Sequence, residues 1–249
     1  MISNPGATAD RGGELPAIKA VIQASFLDWR GMISSVVFLG ACNFRCPYCH
    51  NSDLVLCPER LPTFPLDEVR DYLNTYENWL DGVVISGGEP CINPGLPALI
   101  AELRALGLKI KLDTNGSRPE VLEQLIQDGM LDYVAMDFKA PLNEFSYRRC
   151  AGVRADVAAI GRSIDLLRAG AIDYEFRVTI CPGLLDTDDL LSMGERIQGA
   201  RRFTLQGFAP HNTLDSSFAE RAPYSNEKLD EMRHAVAPFV EECLLVPSP

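Results

Sequence analysis

Six short runs rich in β-branched and apolar residues recur along the chain, at Ile33–Leu39, Gly82–Ser86, Leu108–Asp113, Tyr133–Asp137, Ile172–Ile180 and Arg202–Gln206. Helical spacing fills the gaps. Leu66, Val69, Leu73 and Tyr76 form one stripe, Leu96, Leu99, Ile100 and Leu103 a second, Val121, Leu122, Leu125 and Ile126 a third, and Ile160, Ile164 and Leu167 a fourth. Pro65, Pro94 and Pro119 stand near the helix starts and Gly107, Gly129 and Gly170 near the ends, the asymmetry expected of helix boundaries. A serial strand–helix order admits few folds, because parallel strands need right-handed crossovers. Six units make either a doubly wound open sheet or an incomplete barrel.

An alternating segment from Ile18 to Phe26 reads as a half-buried lead-in strand. Residues 1–16, rich in Gly, Ala, Asp and Pro, read as a flexible tail, 17–215 as the strand–helix domain, and 216–249 as a C-terminal helical extension with its helix over Ser225–Val240. Two strands carry charge where a buried parallel strand would be apolar. Lys109, Lys111 and Asp113 share one face of the third, and Glu175, Arg177 and Thr179 share one face of the fifth. These faces line an open, wet lumen able to accept something large, or they are solvent faces at sheet edges.

The chain has 249 residues, 47% of them hydrophobic, which suits one sizeable core. Its net charge of -11 argues against a nucleic-acid grip. No apolar run approaches the ~18 residues of a membrane span, and the N-terminus lacks the pattern of a signal peptide, so a cytoplasmic protein with no membrane partner is expected. Eight cysteines are too sparse for a secreted disulfide scaffold, and their arrangement decides their meaning.

Cys42-Asn-Phe-Arg-Cys46-Pro-Tyr-Cys49 follows the first repeated strand. Three close thiolates can hold three irons of a [4Fe-4S] cluster and leave the fourth iron an open position. The alternative is a structural zinc, which needs a fourth ligand such as His50. Ser86-Gly87-Gly88-Glu89-Pro90 follows the second strand, Asp113-Thr114-Asn115-Gly116 the third, Met136-Asp137-Phe138-Lys139 the fourth and Phe208-Ala209-Pro210-His211 the sixth. Five motifs at the C-terminal ends of five strands place Cys42, Cys46, Cys49, Glu89, Asp113, Asp137, Lys139 and His211 around one pocket, since parallel α/β barrels build their sites there. Glycines let a backbone approach a ligand, and a carboxylate or carbonyl accepts from an ammonium. Cys57, Cys91, Cys150, Cys181 and Cys243 show no second cluster spacing, Trp29 and Trp79 read as packing residues, and Asp188-Asp189 and Glu241-Glu242 as solvated faces.

The cysteine loop, with Tyr48 as its aromatic residue, resembles that of the radical S-adenosylmethionine (SAM) superfamily, and the later motifs resemble its glycyl-radical enzyme activating proteins, including the pyruvate formate-lyase activating enzyme. The resemblance runs from Ile18 to about Leu214. Ser25-Phe-Leu-Asp28-Trp29 and Asp113-Thr-Asn115 are most similar to the anaerobic ribonucleoside-triphosphate reductase activating proteins, although Arg30 and Cys91 depart from that pattern. The resemblance implies an incomplete (β/α)6 TIM-like barrel with mostly parallel strands. It implies one [4Fe-4S] cluster on Cys42, Cys46 and Cys49, and SAM contacted by Tyr48, Gly87, Gly88, Glu89, Pro90, Asp113, Asn115, Asp137, Lys139 and His211. Asp113 and Lys139 carry the catalytic expectation, and a monovalent cation is expected near Asp113, Thr114, Met136 and Asp137. The implied activity is that of an oxidoreductase: reductive cleavage of SAM to a 5'-deoxyadenosyl radical, which takes a hydrogen from a backbone glycine of a partner, here an anaerobic ribonucleotide reductase. Flavodoxin or ferredoxin would supply the electron. Two rival readings are a radical SAM enzyme acting on a small molecule or another peptide, and a non-catalytic iron–sulfur carrier or redox sensor.

Overall fold

The computed structural model describes residues 14–76 and 78–248, so most of the tail read over 1–16 lies outside the described residues. The chain opens with β1 (Ile18–Ser25), β2 (Ser34–Leu39), the short α1 (Ser52–Leu56) and α2 (Leu66–Thr75). There follow β3 (Gly82–Gly87), α3 (Leu96–Arg104), β4 (Lys109–Thr114), α4 (Pro119–Gln127) and β5 (Tyr133–Asp137). Two helices, α5 (Glu144–Ala151) and α6 (Val157–Arg168), lead to β6 (Asp173–Ile180), then α7 (Thr187–Arg196), β7 (Ala200–Gly207), α8 (Asn226–Val236) and β8 (Val240–Val246). All eight strands form one sheet in chain order; β1 pairs antiparallel with β2, and every later pair is parallel. The α/β class and the partial parallel barrel are therefore as expected.

The apolar stripes do what their spacing requires. Val69 and Leu73 of α2, Leu99, Ile100 and Leu103 of α3, Leu122 and Leu125 of α4, and Ile160, Ile164 and Leu167 of α6 are buried in one core with the outward faces of the strands. Gly107, Gly129 and Gly170 end α3, α4 and α6 at φ of 79°, 64° and 78°, a left-handed turn that side chains resist. Among the described residues no helix is long and apolar enough to cross a membrane.

The structure adds a seventh parallel strand. The segment read as a helical extension breaks at Pro238, which cannot continue α8, and its remaining residues pair with β7 as β8. Glu241 is exposed as read, and Glu242, its side chain 36% exposed, also accepts from Arg202 Nε (2.7 Å) and pairs with Arg30. Trp79, read as packing, is 73% exposed, whereas Trp29 is buried beneath the sheet against Val36, Val84 and Tyr133.

The charged strand faces point inward, and they fill the lower lumen instead of leaving it open. Lys111, 2% exposed, donates to the Asp28 carbonyl, lies 3.5 Å from Glu175 and sits 5.5 Å from the Tyr133 ring centre. Thr204 donates to Glu175 (2.8 Å), and Arg202 to the Tyr133 hydroxyl (2.8 Å). Buried charges persist where each has a partner. With Trp29 as the plug, these residues make a polar floor, and a cavity lies above it.

Candidate functional site

The cavity above that floor, about 260 Å³, lies at the C-terminal ends of the parallel strands. Its cluster-loop wall holds Cys42, Cys46, Tyr48 and Cys49; the strand ends contribute Gly87, Gly88, Glu89, Asp113, Asn115, Asp137 and Lys139. Eleven of the thirteen expected site residues thus meet in one place.

The cysteine loop is held from three sides by main chain. Ala41, at the left-handed φ of 67°, donates to the Leu54 carbonyl (2.8 Å) and accepts from Glu89 N–H (2.9 Å), while Arg45 N–H donates to the Ala151 carbonyl (2.8 Å). The Arg45 guanidinium closes the loop on the carbonyls of Cys42 (2.6 Å) and Phe44 (2.8 Å). A Cβ on Gly88 would fall 1.8 Å from the Ala41 oxygen, and one on Gly87 2.2 Å from the Leu39 oxygen. These glycines therefore serve the docking of two backbones against each other, where the sequence suggested room for a ligand. Gly152, φ 70°, does the same for α5: its Cβ would sit 1.8 Å from the Arg45 oxygen.

Burial pushes the Cys42 thiol up to about 12, with the Phe44 N–H working against it. Cys46 and Cys49 are raised as well, again chiefly by burial. Such thiols are protonated at neutral pH and make poor nucleophiles; a metal displaces the proton and uses the sulfur. Among the described residues no three His, Cys, Asp or Glu side chains converge on a single ion. In a cluster each cysteine takes a different iron, so three separate thiols on one cavity wall can serve as its ligands. His50, the zinc alternative, is exposed, with Nε2 2.8 Å from the Ala209 carbonyl and its ring stacked on His211 at 5.2 Å.

The Glu89 carboxylate is not offered to the cavity. It is 1% exposed and accepts from Thr114 Oγ1 (2.7 Å), Asn115 N–H (2.6 Å) and Cys91 N–H (3.0 Å). The Gly87 and Glu89 carbonyls take the Asn51 and Asn93 amides, which leaves the Gly88 carbonyl as the acceptor in its turn. Pro90 is buried behind it, and His211 stands at the rim on His50. Neither lines the cavity. Asn115 bridges to Asn43 (2.9 Å), which binds Ser117 (2.7 Å), tying the β4 loop to the cysteine loop.

Arg177, absent from the expected site, is its hub. Nε donates to Asp137 Oδ1 (3.0 Å) and NH1 to Asp113 Oδ2 (3.3 Å), and Ser86 also donates to Asp113 Oδ2 (3.1 Å). Strand parity already put Arg177 on the inward face beside Thr179, which lines the same cavity. Asp113 Oδ1 is buried with no hydrogen bond. Lys111 Nζ lies 3.6 Å from it, beyond hydrogen-bond reach, so its charge is countered but its lone pairs are not used, and a hydroxyl of a bound molecule would satisfy them.

Burial would raise the Asp137 carboxyl, but Lys139 and Arg177 outweigh it and hold it below the ordinary range. Lys139, 3.3 Å away, is lowered by burial yet carried well above its ordinary value by Asp137. A folded carboxyl below its unfolded value of about 3.9 stabilises the fold above that pH and ceases to do so as pH falls through the depressed value. In acid melting series, the advantage of wild type over Asp137→Asn is therefore expected to hold at neutral pH, to begin to shrink near about pH 4 and to vanish as pH falls through the depressed value. An advantage independent of pH would show that the ion pair is not formed.

The sequence profile of the radical SAM superfamily matches residues 36–193. A Methanocaldococcus jannaschii protein provisionally named a glycyl-radical enzyme activating enzyme is 28% identical over 231 residues, 92% of this chain and 95% of that one. The pyruvate formate-lyase-activating enzyme of Staphylococcus aureus strain USA300 is 27% identical over 190 residues, 72% of this chain and 74% of that one. Streptococcus suis SuiB bound to S-adenosylmethionine shares the fold with a TM-score of 0.61 at 15% identity, over 83% of this chain and 48% of SuiB, so the chain spans about half the length of that protein.

Proposed function

The chain belongs to the radical SAM superfamily, and from that premise we propose that it is the activating enzyme of a glycyl-radical enzyme. Membership implies a [4Fe-4S] cluster and SAM. The observation that carries the reading is the single cavity walled on one side by Cys42, Cys46 and Cys49 and on the other by Asp113, Asn115, Asp137 and Lys139. The near full-length likeness to the M. jannaschii protein supports the activating type.

When bound, the cluster supplies one low-potential electron to SAM, whose cleavage to methionine leaves a 5'-deoxyadenosyl radical able to take a hydrogen atom from a substrate carbon. In this reading Cys42, Cys46 and Cys49 hold three irons. The Gly88 carbonyl receives the ammonium of SAM, and Asp113 Oδ1, which has no hydrogen bond of its own, accepts from a hydroxyl of the molecule. Asp137 and Lys139, fixed by each other and by Arg177, orient the rest of the molecule, and such preorganisation is the protein's share of the catalysis. Phe44, Tyr48 and Val55 keep water from the cluster side. Because the lower lumen is filled, a substrate arrives only at the cavity mouth, as the tip of a partner's loop would. The partner proposed is an anaerobic ribonucleotide reductase, on the Ser25–Trp29 segment, with flavodoxin or ferredoxin as electron donor.

The test is anaerobic reconstitution with iron and sulfide, then reductant and SAM. Methionine and 5'-deoxyadenosine are expected in equal amounts, and addition of a partner with a C-terminal glycine loop should give a glycyl-radical EPR signal. Absence of SAM cleavage would overturn the enzyme reading. Cleavage without a radical on any such partner would overturn the activating role alone.

A further inference from the structure

The four residues at which a monovalent cation was expected do not form a cation site. The Thr114 hydroxyl donates to Glu89 Oε1 (2.7 Å) and accepts from Gly116 N–H (3.1 Å). Met136 is fully buried in the core, its side chain lying where a Cβ on Gly116 would point. Asp113, Asp137 and Thr114 line the cavity, but the Thr114 hydroxyl is spent on those two bonds and both aspartates already have cations beside them. Asp137 Oδ1 takes Arg177 Nε at 3.0 Å and Oδ2 faces Lys139 Nζ at 3.3 Å. Asp113 Oδ2 takes Arg177 NH1 at 3.3 Å and Oδ1 faces Lys111 Nζ at 3.6 Å. Glu175, 3.5 Å from Lys111, completes a group of three carboxylates and three side-chain cations, neutral before any ligand enters. A metal ion placed between the aspartates would meet three positive charges at short range and would have to expel a guanidinium.

We propose that Arg177 stands in for the cation: a tethered counter-charge that fixes the spacing of Asp113 and Asp137, so that SAM binding needs neither potassium nor sodium. Guanidinium suits the task because its planar fork reaches two carboxylates at set angles and it keeps its charge at every working pH. Strand register makes the placement rigid, since Arg177 pairs with Asp137 across β5 and β6. Arg177 is thus a positioning residue, acting on SAM through the two aspartates. The proposal rests on the reading of the cavity as a SAM site.

The cluster-loaded full chain, handled anaerobically, is melted and titrated with SAM in potassium, sodium or tetramethylammonium chloride at equal ionic strength. Wild type is expected to show one melting midpoint and one SAM affinity, within about twofold, in all three salts. Arg177→Gln should bind SAM about 30-fold more weakly in tetramethylammonium, as for one side of a buried charge pair removed. Potassium or sodium should then restore at least about tenfold of that loss, a rescue that a merely structural role would not permit. A saturable rise in wild-type midpoint or affinity specific to potassium or sodium overturns the proposal, and this arm stands even if Arg177→Gln fails to fold. A loss of SAM binding in Arg177→Gln that no ion restores also overturns it. If the chain binds no SAM, the SAM-site reading fails separately, and the melting arm still reports whether a cation is held.

Discussion

Replacing Cys46 by alanine is expected to abolish iron–sulfur loading, and with it all SAM cleavage, while leaving the fold nearly untouched. The two effects separate because the loop does not depend on this thiol for its shape. Its anchors are main-chain bonds from Ala41 to Leu54, Glu89 to Ala41 and Arg45 to Ala151, and the turn bond from Cys49 N–H uses the Cys46 carbonyl, which alanine retains. Loss of one small buried atom costs about 1 kcal/mol, near the centre of single-substitution effects. Cluster assembly, by contrast, loses one of only three protein ligands. The measurement is iron and sulfide content per chain beside far-ultraviolet dichroism and the melting midpoint. Cys57→Ala is the control, because Cys57 caps α1 and does not line the cavity; it should load fully and cleave SAM at the wild-type rate. Retention of cleavage in Cys46→Ala would overturn the cluster assignment, and loss of the fold would show that the thiol holds the loop after all.

How far the sequence alone reaches can be judged from particular residues. Strand–helix order located the site, because strand ends in a parallel sheet must gather, and Asp113, Asp137 and Lys139 duly share a cavity with the three cysteines. Parity also turned Lys111, Glu175 and Arg177 inward. It could not say what would become of their charge, since whether an inward face is a wet lumen or a packed floor depends on which acids meet which bases across strands far apart in sequence. Lys111 and Glu175 are separated by 64 positions, and Thr204 and Glu175 by 29. Strand β8 is not legible locally because Glu241 and Glu242 read as solvated, and the pairing of Glu242 with Arg30 and Arg202 joins residues 212 and 40 positions apart. Asp189, likewise read as a solvated face, closes a capping box with Asp186 at the start of α7. Local pattern reports periodicity faithfully; it is silent on partners.

Glu89 is where that silence matters most, and its substitution is expected to be the most damaging to stability. The sequence motif suggests a carboxylate aimed at the ammonium of SAM. In the fold it is a fastener between the ends of β3 and β4: Oε1 takes the Thr114 hydroxyl and Cys91 N–H, and Oε2 takes Asn115 N–H. Burial raises its carboxyl above the ordinary range, and these three donors pull against that rise, which is why an acid can be kept here at all. Glu89→Ala leaves two buried N–H groups and a hydroxyl without partners, at about 1–3 kcal/mol each less whatever water enters the gap. A net loss of about 3–5 kcal/mol follows, a drop of roughly 10 °C or more in melting midpoint for a chain of this size. Glu89→Gln keeps the Oε1 acceptor but turns an amide donor toward Asn115 N–H, so about 1–3 kcal/mol should go even though the shape is preserved. The order of effects decides between the two roles. A fastener predicts that Glu89→Gln lowers the melting midpoint of the protein before SAM is added, with weakened SAM binding following from the displaced Asn115. A ligand-binding carboxylate predicts the reverse, an unchanged midpoint with SAM affinity lost. A Glu89→Ala protein melting within a degree or two of wild type would refute the fastener, and the Glu89 carboxylate would then have to be reassigned to direct contact with the ligand.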